Sequence, residues 1–502
     1  MFKMRNNKNS VIRLPSVLAI GFTGHRKLPD EPTSRKLICG FLQRLKANTA
    51  GILYGVSSVA AGGDMLFAEC CLQLEIPLRV LLPMPREFFR KDFDAVDWLR
   101  VEHILKGSLS VEVTGDHEQR TEGYYECGIK TVQQSQLMVA LWDGQHSHGL
   151  GGTQEIVVFA KEMGKPVIWF HSETGAMQVF NEPALKNIEE LHDPELDFLN
   201  GLPDTSETQL TGLSKELASA WLQKIDEHAS RFAPQVRRLS SIPIVYTAAA
   251  AFLSGAGLQM PHAATWLAIG TALGITATAL PFVLRLGPRQ VLWARTRTAA
   301  EVCRSFMALW GTPVLDEAVG PEIIPELAGM LMSLKLLEAL DGSRKSLAVN
   351  EFKRRYRKER ISDQVEYFSR HAAQSANEAR AFRIVSWICI GLAILIAGSL
   401  FLLRTEFTSA FFPLRKSWLS IAVSALFQLA TISGALLIVN DCERRQRRYR
   451  EVHDWLEKWD KELEAMRTWP TVLKVAGRIE RTLLVELLEW KSLVQNATLP
   501  RK

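Results

Sequence analysis

The residues best placed to do chemistry fall in three glycine-rich turns in the N-terminal third of the chain. Gly21-Phe22-Thr23-Gly24-His25-Arg26 ends a short apolar run, and Ala61-Gly62-Gly63-Asp64 follows a second. Gly151-Gly152-Thr153-Gln154-Glu155 comes soon after Asp143-Gly144, which ends another. Glycine lets a backbone approach a ligand closely, and a helix that opens at such a turn offers unpaired N–H groups to phosphate. Arg26 adds a cation for the phosphate. Asp64 or Glu155 adds an acceptor for ribose hydroxyls or a base. Gly21, Thr23, Gly24, His25, Arg26, Ala61, Gly62, Gly63, Asp64, Asp143, Gly144, Gly151, Gly152, Thr153 and Glu155 thus make a candidate nucleotide site. Each also has a plainer role. The glycines serve tight turns, Asp64 and Glu155 cap helices, His25 is structural, and Asp143 caps its own turn. No catalytic residue, metal ligand or tightly held cofactor is assigned; a nucleotide-derived ligand is expected.

Turns of this kind need a sheet to hold them. Val17 to Phe22, Ile52 to Val56, Leu78 to Leu82, Leu137 to Trp142 and Pro166 to Phe170 read as strands. Helical patterns run from Glu31 to Lys46, from Asp64 through Leu72, and onward from Gly152. Strands alternating with helices give a parallel sheet, and ligands of such sheets bind outside the carboxyl ends of the strands. Residues 1–175 are therefore expected to form an α/β, Rossmann-like domain. Residues 176–212 show little periodicity and read as a linker.

The remainder has a different character. Of 502 residues, 47% are hydrophobic and 23% charged, an ordinary average that conceals strong clustering. Ser240 to Leu284 contains no Lys, Arg, Asp or Glu. A membrane-spanning helix needs about 20 apolar residues. This run holds two, at 242–258 and 263–284, and further uncharged runs occupy 384–403 and 417–440. An all-α membrane region with four transmembrane helices and long cytoplasmic helices is expected: a first two-span module over 213–315, a helical connector over 316–355, and a second module with C-terminal helices over 356–502. Arginines flank the outer ends of both pairs, for example Arg237, Arg238, Arg285, Arg383, Arg444 and Arg445. The positive-inside rule places the N-terminal domain and the C-terminus in the cytoplasm. The basic clusters adjoin the spans and lack a base-reading motif, so they point to anionic lipid rather than nucleic acid. Apart from His262 at a loop, the spans carry no ionisable group, which argues against ion-coupled transport. Gly270 and Gly274 form a small-xxx-small pair suited to close helix packing. The seven cysteines make no C-x-x-C pair and are expected to be free thiols.

The three turns, in this order and spacing, resemble the SLOG superfamily, Rossmann-like nucleotide-binding domains related to LOG phosphoribohydrolases and DprA proteins. The likeness covers about residues 15–175. The LOG signature has the form P-G-G-x-G-T-x-x-E, and here Leu150 stands in the proline position while Glu155 follows Thr153 by two positions rather than three. The resemblance therefore implies nucleotide binding more than hydrolysis. Tyr356 to Phe368, the second apolar pair and Arg447-Arg448-Tyr449-Arg450 resemble the SLATT domains, two-span modules of bacterial conflict systems. The two likenesses imply a nucleotide-signal-sensing effector of the bacterial inner membrane. In it a cyclic nucleotide or ADP-ribose-type messenger gates a homo-oligomer that permeabilises the bilayer. The alternative is a membrane-anchored, LOG-like nucleotide N-glycosidic hydrolase, with Glu155 activating water and Arg26 holding phosphate.

Overall fold

The structure, a computed structural model, describes residues 12–115, 120–145, 151–189, 193–204, 215–257, 262–283, 286–312, 324–341, 348–402, 413–439 and 441–496. Leu150, the loop inside each apolar pair, and parts of the expected linker (205–214) and connector (313–323) lie outside them. The chain divides into two compact units. One is Met1–Lys224 with Leu309–Leu347, and the other is Ile225–Ala308 with Ala348–Lys502.

The first unit is an α/β domain on a seven-stranded sheet. In chain order it runs β1 (Val17–Gly24), α1 (Glu31–Asn48), β2 (Ile52–Ser57), α2 (Gly63–Gln73), β3 (Leu78–Leu82), α3 (Arg86–Phe89) and α4 (Ala95–Gly107). There follow β4 (Ser110–Val113), α5 (Arg120–Gln133), β5 (Leu137–Trp142), α6 (Thr153–Glu162), β6 (Val167–His171) and β7 (Met177–Phe180). The strand order is β4-β3-β2-β1-β5-β6-β7. All neighbours are parallel except β6 and β7. The order reverses between β1 and β5, which creates the crevice where sheets of this kind take ligands.

β1, β3 and β5 are apolar almost throughout because the sheet is covered on both faces. One face packs Leu18, Ile20 and Val80 against α1, α2 and α4 through Ile38, Leu42, Phe67 and Val101. On the other, α5 and α6 cover Met138, Ala140 and Val167 with Val132, Ile156 and Ala160. The rest of that face, Val17, Ala19, Tyr54, Val56 and Leu81, is closed by Met332 and Leu336. These belong to a helix, Ala328–Asp341, inside the stretch read from sequence as a connector. Ser333 Oγ fastens it by donating to the Pro15 carbonyl at 2.5 Å.

Two other expectations are corrected. The segment read as a linker from 176 carries β7 and the helices Glu182–Glu189 and Pro194–Asn200. Asn200 ties the second of these to the core, its Oδ1 accepting from Leu14 N–H at 3.0 Å. Its pattern escaped notice because β7 has four residues, exposed or half-exposed. The cysteines are not all free. Cys39 on α1 and Cys70 on α2 form a disulfide, because the two helices lie side by side on one sheet face with these Cα atoms 5.3 Å apart. Cys71, Cys127, Cys303, Cys389 and Cys442 are free and buried.

The second unit is helical throughout its described residues. Three segments, within Ala263–Leu280, Val349–Ser399 and Leu419–Ala465, are long and apolar enough to cross a membrane; Ile242–Gly255 is a shorter apolar one. In the first pair, a side chain at Gly270 would strike Ser254 and the Ala250 carbonyl, so glycine there sets the closeness of the two helices. In the second pair, Ser433 Oγ donates to the Phe382 carbonyl at 2.8 Å. Trp387, Leu395, Phe401 and Ile438 point outward at 70–78% exposure, as lipid-facing side chains do.

The late helix should be integral to the first unit. Leu336→Ala removes a fully buried side chain from its contact with the sheet and should cost about 2–5 kcal/mol. Pulse proteolysis of the full chain in urea, following fragments from residues 12–204, should show the earlier midpoint.

Candidate ligand site at the sheet switch point

The site grows from a contact between two glycines. A Cβ on Gly24 would lie 3.2 Å from Gly63 Cα, so the end of β1 and the start of α2 meet backbone to backbone. Gly63 N–H donates to the His25 carbonyl at 2.9 Å. Gly62 turns the chain at φ +85°, where a side chain would run into the carbonyls of His25 and Arg26. The close approach that this glycine permits is therefore to the protein's own backbone.

Asp64 is locked beneath this junction. Its Oδ2 accepts the Gly24 N–H at 3.1 Å and its Oδ1 the Ser58 hydroxyl at 2.8 Å. The carboxyl is 5% exposed. Burial pushes its pKa up to about 7, against the opposing pull of Ser58, Gly24 N–H and the Arg26 charge. Asp64 thus braces the turn and is not presented to a ligand.

His25 spans the crevice. Its N–H continues the β1–β5 pairing by donating to the Leu141 carbonyl at 3.0 Å. Its Nε2 lies 2.9 Å from Asp143 Oδ1 and 3.1 Å from Asp143 N. A protonated Nε2 donates to the carboxylate, and a neutral one accepts the backbone N–H. Burial raises the Asp143 pKa, but the Gln145 N–H and His25 outweigh it and hold the carboxyl below the usual range. Gly144, in the left-handed region at φ +80°, completes this turn.

Arg26 is exposed, and its guanidinium lies 4.4 Å above the ring of Tyr124 on α5. Tyr124 Oη donates to Asp92 Oδ2 at 2.7 Å, and Arg120 pairs with the same carboxylate. Sequence reasoning missed Tyr124, Asp92 and Arg120. They lie far from the glycine turns, and only the packing of α5 along the crevice brings them in. A side chain on Gly151 would come within 3.0 Å of Tyr125 N, so the same stretch of α5 also backs the third turn.

That third turn differs from the second. Gly152 caps α6 with no side-chain hydrogen bond. Glu155 reaches back so that its Oε2 accepts the Gly151 N–H at 2.6 Å. The helix dipole and first-turn amides face the carboxyl end of β5. Thr153 is buried at the first position of α6, and Ala61 is half-exposed in the second turn. Gly21 does not belong to the site. It lies inside the β1–β5 pairing, where a side chain would meet Ser135 Oγ at 2.6 Å and Met138.

The expected residues therefore sort into two sets. Gly24, His25, Gly62, Gly63, Asp64 and Asp143 build the junction. Arg26 is exposed and Gly152 half-exposed at the α6 N-terminus, and both are open to solvent beside the junction, while Thr153 is buried. Among the described residues, no group of three or more His, Cys, Asp or Glu could hold a metal ion. Comparison with protein-family models finds no match to this chain, and comparison with curated proteins finds none either.

The raised pKa of Asp64 fixes the sign of a pH effect. The folded chain binds a proton that the unfolded chain releases near pH 4, so stability falls as pH rises from about 4 to about 7. The loss across that window should be on the order of 4 kcal/mol. Asp64→Asn keeps an acceptor for Gly24 N–H and should flatten the dependence. Melting temperatures of both chains from pH 5 to 8 will check this.

Proposed function

We propose that this chain is a nucleotide-signal-sensing membrane effector of a bacterial conflict system, built from a SLOG-like receptor and SLATT-like helices. The observation that carries this reading is the sheet switch point, with Arg26 exposed at the end of β1 and α6 opening at the glycines after β5, in a chain that also holds apolar helices of membrane-spanning length. The messenger's phosphate lies against Arg26 and the first amides of α6, and the Tyr124 ring keeps the guanidinium in place. The ligand class is a cyclic nucleotide or an ADP-ribose derivative.

In this proposal four helices cross the inner membrane as two hairpins, Ile242–Gly255 serving as the shortest, with both termini of the chain in the cytoplasm. One chain's spans have too little polar surface to line a pore, so several copies assemble. The messenger must bind the open assembly more tightly than the closed one, since equal affinity shifts no population. Hydrolysis of the nucleotide's N-glycosidic bond would need Glu155 free to activate water. Its Oε2 accepts the Gly151 N–H, so the carboxylate already serves the turn, and its spacing departs from the LOG signature, which together favour the sensor reading.

The reading is tested with the full chain in dye-loaded liposomes. A nucleotide that binds should release dye, and Arg26→Met should weaken that binding by about 10-fold or more. Binding without leakage would overturn the pore. Release of free base from a nucleoside monophosphate would instead establish the hydrolase.

A further inference from the structure

The second unit contains a cavity of about 490 Å³, well within the range of small-molecule sites. It opens between the stems of the two helix pairs. Asp226 comes from the stem entering the first pair, Trp293, Arg297 and Arg304 from the helix Leu286–Ala308, and Arg360 and Tyr367 from the stem of the second pair.

Its charges are unevenly satisfied. Arg304 is fully engaged, with Asp226 at 2.6 Å and Glu301 at 2.5 Å. Arg360 is 3% exposed and sits in a π-helical turn, Arg357–Ile361. Its Nε and Nη2 donate to the buried Glu480 carboxylate at 3.1 and 2.8 Å, and Nη2 also donates to Ser305 Oγ at 3.0 Å. Its Nη1 has no hydrogen-bond partner, and the Glu301 carboxylate stands off at 3.8 Å. Buried guanidinium nitrogens are seldom left unbonded. Arg297 stacks 4.6 Å from the Trp490 ring and donates to Tyr367 Oη at 3.2 Å, but it forms no ion pair with a described carboxylate. Arg297 and the buried Nη1 of Arg360 thus lack a close hydrogen-bonding carboxylate at one cavity wall, with Glu301 the nearest acidic neighbour of Nη1. The remaining lining carboxylates, Glu359 and Asp363, are exposed to solvent, where their charge is screened. π-helical turns are frequent at functional sites, because the extra residue redirects a side chain.

We propose that this cavity is a second ligand site, taking a small soluble phosphate ester between Arg297 and Nη1 of Arg360, with Trp293 and Tyr367 as its aromatic wall. Guanidinium groups match phosphate oxygens in geometry as well as charge. A lipid headgroup carries the same chemistry, and phosphatidic acid vesicles in the test distinguish the two sources. Tyr367 precedes Ile384, the start of its apolar run, by 17 positions of one continuous helix, or roughly 25 Å. Because both stems contribute a guanidinium, an occupant draws them together. The site is separate from the crevice of the α/β domain and does not depend on what binds there.

The test uses the full detergent-solubilised chain carrying Arg26→Met, with AMP and pyrophosphate titrated separately by calorimetry. At least one probe should bind saturably, and adding Arg297→Met should weaken it by about 10-fold or more. Arg360 is left intact, since its loss would strand the Glu480 charge. Hydrogen exchange on the wild-type chain locates the probe without a variant. Slowed exchange is expected over residues 293–304 and 357–371. No saturable binding of either probe, indifference to Arg297→Met, or protection confined to residues 20–30 would overturn the second site. Binding only to phosphatidic acid vesicles would overturn the soluble ligand.

Discussion

Gly24 and Gly63 touch with nothing but hydrogen between them, and the rest of this sheet edge depends on that approach. A Cβ on either would crowd the other's Cα at 3.1–3.2 Å and press α2 and β1 apart. That shift would loosen the bond from Gly63 N–H to the His25 carbonyl and the hold of Asp64 on the Gly24 amide. With the approach intact, the backbone leaves the sheet at a fixed angle and carries Arg26 out over Tyr124. The motif that attracts attention in the sequence is thus mainly an internal joint. Its glycines serve the protein's own backbone, and the surface offered to a ligand is what the joint orients. The carboxylates follow the same division, since Asp64 and Glu155 both hold amides of their own chain.

The legible parts of this fold are those where one short segment carries the whole signal. The five strands read from sequence are the interior strands of the sheet, largely buried, and appear as mostly apolar runs, interrupted in β3 by Arg79. The two that were missed, β4 and β7, are the sheet's outer edges. Each has four residues with partial exposure, including Val111 and Val113 at 43% and 47%. Edge strands face water on one side and have no such run to display. The Cys39–Cys70 bridge and the Tyr124–Asp92–Arg120 group were illegible for another reason. They are formed by helix packing between residues about 30 apart, which local periodicity does not encode.

In the helical half, hydropathy announced the apolar segments, and of the paired small residues Gly270 lies at a close crossing while a Cβ at Gly274 would make an ordinary 3.8 Å contact with Ala250. The ionic stems beneath them were silent in sequence. Arg360 and Glu480 are separated by 120 positions, and each looks like an ordinary charge on an amphipathic helix. Buried together they are costly to separate, because either alone would be an unpaired charge in an apolar setting. Such a pair fixes the register of its helices more than it adds stability. The Tyr356 hydroxyl, donating to Glu480 at 2.7 Å, narrows that register further.

The helix Ala328–Asp341 belongs to the α/β domain but follows the first two apolar helices in the chain. A ribosome adding about 5–20 residues per second needs on the order of 5–20 s to travel from the end of the domain's first segment to this helix. During that interval Val17, Ala19, Tyr54, Val56 and Leu81 form a sheet face without its cover. The first apolar pair is synthesised within the same interval. Synthesis therefore runs in a set order, and the α/β domain can close its sheet only after the first two apolar helices have been made.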